Sequence, residues 1–185
     1  MKLVLDACVL YPTVMREVLL AAARAGLYQP VWSERITEEW ARAAARIEPG
    51  QEAQARGEIA MLGAQFPRAR IAAAHEGLTN RLWLPDPADI HVLATAIAGH
   101  ADGIVTMNAK DFPRNILAEE GLTRADPDTL LLGFFEAQPE VMSRVAGDVL
   151  ATARRLSSED WTLRSLMKKA RLPRFGKAVE AGGLV

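Results

Sequence analysis

The chain has 185 residues, half of them hydrophobic and 24% charged, with a formal net charge of −1. Such a chain can bury a real core in one globular domain with room for an appendage, and it lacks a strongly basic surface spread over the whole molecule. A single cysteine, Cys8, excludes an internal disulfide framework and any cysteine-rich zinc site.

The N-terminus, MKLVLDACVL, meets Asp6 after three apolar residues, so it does not read as a secretory signal. Its LVL run, closed by Asp6, suits a buried strand of a parallel sheet. A helix is predicted from Thr13, with Val14, Val18, Leu19 and Ala22 on one face and Gly26 as its stop. LYQPVW reads as a second strand. Ser33 then caps a helix reaching to Ile47, before Pro49-Gly50 breaks it. Ala55, Ile59, Leu62 and Phe66 mark another amphipathic helix.

LPDPADIHVLATAIAG predicts a helix opened by Asp86-Pro87 and closed by Gly99, and GIVT a third strand. Beyond Pro127 the pattern is helical to the end. Short strands alternating with helices imply a three-layer α/β/α sandwich on a parallel sheet over residues 1–126, with a helical extension over 127–185. No apolar run approaches the roughly 18 residues of a membrane span, so the chain reads as cytoplasmic, without a membrane partner. Residues 151–185 hold eight basic residues, Arg154 to Lys177, against Glu159, Asp160 and Glu180. A solvated helix face accounts for most of these, and an RNA or partner contact is the alternative.

In open α/β sheets, sites lie beyond the carboxyl ends of the strands. Asp6 falls there, either as a site residue or as a cap for the next helix. On the helix after Ser33, with Ile36 as zero and about 100° per residue, Glu38 falls near about 200°, the solvent side. Glu39 falls near about 300°, on the shoulder of the buried stripe, where it either leans into a cleft or forms a shoulder salt bridge. Asp89 shares a face with Leu93 and Ala96. Its N3 position favours the helix dipole, yet an acid aimed at the core side needs a cation or donors to meet it. His91 lies on the opposite face of the wheel and is expected to be exposed.

The stretch GIVTMNAKDFP would deliver Thr106, Asn108 and Asp111 to the same sheet edge as Asp6. Carboxylates and an amide, without a cysteine or histidine cluster, form an oxygen-rich site that suits Mg²⁺ or Mn²⁺. Clustered acids repel one another unless a cation lies between them, and such a cation is well matched to phosphodiester hydrolysis.

LVLDACVLYP, WSERITEEW, LPDPADIHVLATAI and IVTMNAKDFP, in this order and spacing, resemble the PIN-domain nucleases over about residues 1–125. They look closest to the VapC-type toxins of toxin–antitoxin pairs, and the tail resembles the C-terminal helical extension of one PIN subfamily. The resemblance implies an α/β/α fold and Mg²⁺- or Mn²⁺-dependent RNA cleavage. By position, Asp6, Glu39, Asp89 and Asn108 match the four site positions of the family; Asp6, Asp89 and Asn108 would hold the metal, and Glu39 would orient or deprotonate the attacking water. Thr106 matches a hydroxyl residue that often precedes the fourth position, and Asp111 a further acidic one. Two departures stand out: Cys8 where many PIN domains carry Ser, Thr or Asn, and Asn108 in a position often held by Asp.

The implied partners are an RNA substrate, a small antitoxin protein over the acidic cleft and, as the family often dimerises, a second copy. The competing reading is a catalytically weak or inactive PIN-fold module that binds RNA or a protein. A HAD-like phosphotransferase also places an Asp after its first strand, but it needs a second Asp where Cys8 stands.

Overall fold

The computed structural model describes residues 1–46 and 50–183. The elements are β1 (Lys2–Leu5), α1 (Ala7–Leu10), α2 (Thr13–Arg24), β2 (Gln29–Ser33), α3 (Glu34–Ala45), α4 (Gln51–Gln65), β3 (Arg70–Ile71), α5 (Glu76–Arg81), a 3₁₀ turn (Pro87–Asp89), α6 (Ile90–Ala98), β4 (Gly103–Val105), α7 (Arg114–Glu119), β5 (Thr123–Ala125), α8 (Pro127–Ala137), α9 (Pro139–Leu156), α10 (Leu163–Lys169) and α11 (Pro173–Ala181). The five strands form one parallel sheet in the order β3-β2-β1-β4-β5, flanked by helices. This is the α/β fold expected from the sequence.

The central strands are apolar without alternation because helices cover them. Leu3, Val4 and Leu5 are buried in succession, as are Ile104 and Val105, and Val4 stands opposite Val31 on one side and Ile104 on the other. The chain runs outward from β1 to β2 and β3, then returns to β4 on the other side of β1. In such sheets the carboxyl ends of the strands on either side of that reversal, here β1 and β4, are where sites form. Gly103 is needed for the β4–β5 pairing: a Cβ there would meet the Thr123 carbonyl oxygen at 2.6 Å and collide with its hydroxyl.

The chain divides into two compact units. The first comprises Met1–Tyr11 and Tyr28–Ala125, with the whole sheet; the second takes Pro12–Leu27 together with the chain from Asp126 onward. In the second, α2 meets α8, α9 and α10, around a core that includes Leu131, Met142, Ala146, Met167 and Phe175. The buried Asp128 carboxylate accepts the backbone N–H groups of Arg174 (3.0 Å) and Phe175 (2.9 Å), closing the start of α11.

Most local expectations hold. Ser33 Oγ accepts the Ile36 N–H and caps α3, and Gly26 takes φ +82° just after α2. The predicted end of that capped helix, Ile47, and the break at Pro49 lie outside the described residues. The helix opened by Asp86-Pro87 begins as a 3₁₀ turn before α6. The expected exposure of His91 is corrected: it is buried, at 9% exposure. Residues 91 to 96 of α6 are all buried, and α6 packs against β1, β2, β4 and α5. A helix covered on all sides has no solvent face, so the wheel that assigned one to His91 does not apply.

Candidate functional site

Strand pairing continues one residue past β1 and β4 and holds the two site-bearing ends rigid. The Asp6 N–H donates to Val105 O (3.1 Å), and the Thr106 N–H to Ala125 O (3.1 Å). Asp6 stands at the N-cap of α1, but its carboxylate makes no capping bond. Instead Asp6 Oδ2 accepts from Thr106 Oγ1 (2.7 Å) and from Cys8 Sγ (3.1 Å). Both Asp6 and Thr106 are buried. Thr106 Oγ1 in turn accepts the Asn108 N–H (2.9 Å), and Cys8 Sγ the Met107 N–H (3.3 Å). Burial, then the neighbouring Asp6 charge, pushes the Cys8 thiol up to about 12, so it stays protonated and serves as a hydrogen-bonding link.

Asp89 enters from the 3₁₀ turn. Asn108 Nδ2 donates to Asp89 Oδ2 (3.1 Å), coupling this turn to the loop after β4. The Asp89 carboxyl is raised from 3.8 to about 6, first by burial and then by the charges of Asp6, Asp86, Asp111 and Glu39, in that order. Carboxylate oxygens of Asp86, Asp89 and Asp111 lie within 4.8 Å of one another. Asp86 is thus a site candidate beyond its capping role, although its Oδ1 does accept the Ala88 N–H (2.8 Å). The readable signal was the D-P-A-D spacing, which sets two acids three residues apart on the first turn of a helix.

Glu39 is half-buried on α3. Its Oε1 lies 2.8 Å from His91 Nε2 and 3.6 Å from Arg35 Nε. Arg35 Nη2 donates to Ala88 O (3.2 Å), tying α3 to the turn that carries Asp89. Glu38 points elsewhere, paired with Arg42 and Arg56, so it is a surface charge. The sequence-predicted residues Asp6, Thr106, Asn108 and Asp89 therefore form one bonded chain, and Glu39 and Asp111 bear on it through their charge.

The donor set fits a hard divalent cation. It offers carboxylate oxygens and an amide, its one sulfur is a neutral thiol, and its central acid is raised by burial first and by the surrounding negative charges second. A family model described as PIN domain matches residues 2–110, more than half of the chain. That span contains every residue of the cluster except Asp111, which follows it directly. No curated protein and no solved structure matches the chain.

Proposed function

The chain belongs to the PIN-domain family, and we propose that it is an endoribonuclease dependent on Mg²⁺ or Mn²⁺, acting in the cytoplasm as the toxin of a VapBC-type toxin–antitoxin pair. PIN domains are usually metal-dependent nucleases, and the three-acid cluster is compatible with that chemistry. The observation that carries the reading is the gathering of Asp86, Asp89 and Asp111 oxygens within 4.8 Å of one another, with the charges of Asp6 and Glu39 also acting on Asp89. Asp6, Asp89 and Asn108 would hold the ion, with Asp86 and Asp111 completing its surroundings. A bound divalent cation supplies charge neutralisation at a scissile phosphodiester and a more acidic water.

The chain's own groups set the geometry around that ion. Thr106 and Cys8 fix the Asp6 carboxylate through donated bonds, and Asn108 fixes Asp89. Glu39, a half-exposed carboxylate off the metal-holding trio, orients the attacking water and takes its proton. Exposed cations beside the acids, Arg35 and Lys110, suit the phosphates of an RNA strand. A small antitoxin would cover the acidic crevice, offering an Arg to the carboxylates, and self-association into a homodimer accords with this role.

A second reading rests on Asn108. Its amide satisfies Asp89 without any cation, which favours a weakly catalytic or inactive module binding RNA or a protein. RNA cleavage by purified protein with Mn²⁺, Mg²⁺ or EDTA, beside Asp6→Asn and Asp89→Asn, separates the two. Metal-dependent cleavage lost in both variants supports the nuclease. If no RNA is cut and calorimetry detects no Mn²⁺ binding, the second reading stands. A short gene beside this one that encodes a DNA-binding protein would support the toxin assignment.

A further inference from the structure

His91 is a buried titratable side chain that this reading leaves without a task. It sits on α6, two residues beyond Asp89, at 9% exposure. Neither ring nitrogen makes an aligned hydrogen bond, yet Nε2 lies 2.8 Å from Glu39 Oε1. A buried imidazole that leaves both nitrogens unsatisfied is costly, whereas an apolar residue at 91 would pack in the same surroundings without that penalty. The position therefore asks what the ring does for Glu39.

Glu39 is held from two sides that differ in kind. Arg35, four residues earlier on α3, is 60% exposed at its side chain and stands 3.6 Å away, a weak contact. His91 comes from a different element and cannot move, because α6 is packed against three strands and α5. A carboxylate at the end of three rotatable bonds samples several rotamers, and a rigidly held ring nitrogen 2.8 Å from its oxygen restricts that sampling.

We infer that His91 is a positioning residue for the nuclease reaction: its Nε2 fixes the Glu39 carboxylate toward Asp89, so that Glu39 meets the attacking water in one orientation. The inference rests on the nuclease reading above. It assigns His91 no contact with RNA or metal, and therefore separates its effect on turnover from any effect on binding.

The test compares wild type with His91→Phe, which fills the ring's space without a nitrogen, and His91→Gln, whose amide nitrogen can reach the Nε2 position. In a metal-dependent RNA cleavage assay, kcat should fall about tenfold in His91→Phe with KM nearly unchanged, and His91→Gln should recover most of the loss. Calorimetric Mn²⁺ affinity should be the same in all three. In the Glu39→Gln background, His91→Phe should produce no further loss, because the group it positions is already gone. Wild-type kcat in a folded His91→Phe overturns the inference, as does an equal loss in both His91 variants or an additive loss in the double variant. Should His91→Phe fail to fold, His91→Gln alone decides: kcat well below wild type in a folded protein overturns the inference, and near-wild-type kcat with a tenfold loss on Glu39→Gln supports it. Absence of cleavage by wild type refutes the parent reading instead, which is a distinct outcome.

Discussion

Replacing Asp89 with Asn should stabilise the metal-free protein while abolishing its response to metal. Asp89 is raised from 3.8 to about 6 in the fold, so the folded state prefers the protonated acid. With the folded value above the unfolded one, the stabilising effect is complete below about pH 4 and is lost as pH rises through about 6. At pH 7.5 the ionised wild type therefore carries the whole penalty. A rise from 3.8 to about 6 corresponds to about 3 kcal/mol. Because the carboxylate is half-exposed and sits at a helix start, screening and the helix dipole reduce this to about 1 kcal/mol. The Asn side chain keeps an oxygen to accept the Asn108 amide, so no buried donor is orphaned. Urea unfolding in EDTA should show Asp89→Asn about 1 kcal/mol more stable than wild type at pH 7.5, an advantage that shrinks toward zero at pH 4. Saturating Mn²⁺ should reverse the order, since a ligand at about 100 times its dissociation constant stabilises the folded state by about 2.7 kcal/mol. An Asp89→Asn protein less stable than wild type at pH 7.5 in EDTA, or an advantage independent of pH, would refute the electrostatic account.

Asn108→Asp should lower metal-free stability by about 1 kcal/mol at pH 7.5, since it sets a negative charge beside Asp89 where a donor now stands; the same variant should bind Mn²⁺ more tightly by calorimetry, and weaker binding would count against a shared site. Cys8 should resist alkylation by iodoacetamide at pH 8 in the folded protein and react once unfolded in urea, because its thiol is held near 12; mass spectrometry reads both states. Gly103→Ala should destabilise the fold by about 2 kcal/mol or more in urea titration, as its Cβ would press on the Thr123 backbone.

The strands that carry the site were legible because they are buried on both faces: LVL and GIV stand out as apolar runs in any context. The edge strands were not. β3 is Arg70–Ile71 and β5 is Thr-Arg-Ala, too short and too polar to show a period, and only pairing with β2 and β4 makes them strands. The helical wheel separated Glu38 from Glu39 by direction, the first meeting Arg42 and Arg56 and the second His91, although the two are about equally exposed; it misplaced His91 because residues 91 to 96 of α6 are all buried. Asp86 was read as a cap and nothing more, although a carboxylate has two oxygens and one suffices for the Ala88 N–H. The bonds that join β1 to β4 in the site, Thr106 to Asp6 and Met107 to Cys8, link residues about a hundred positions apart, and no local spacing encodes them.

The assignment of α2 to the second unit bears on how the protein is made. This helix is synthesised before most of the sheet, yet α8, α9 and α10, which it meets, emerge from the ribosome more than a hundred residues later. Its buried side chains include Val18, Leu19 and Leu20, and packing against helices so far along the chain is a long-range closure that slows folding and prolongs the exposure of an apolar surface. Deleting the C-terminal helices would thus strip α2 of those three neighbours. A shortened chain ending after β5 should be prone to aggregation during expression.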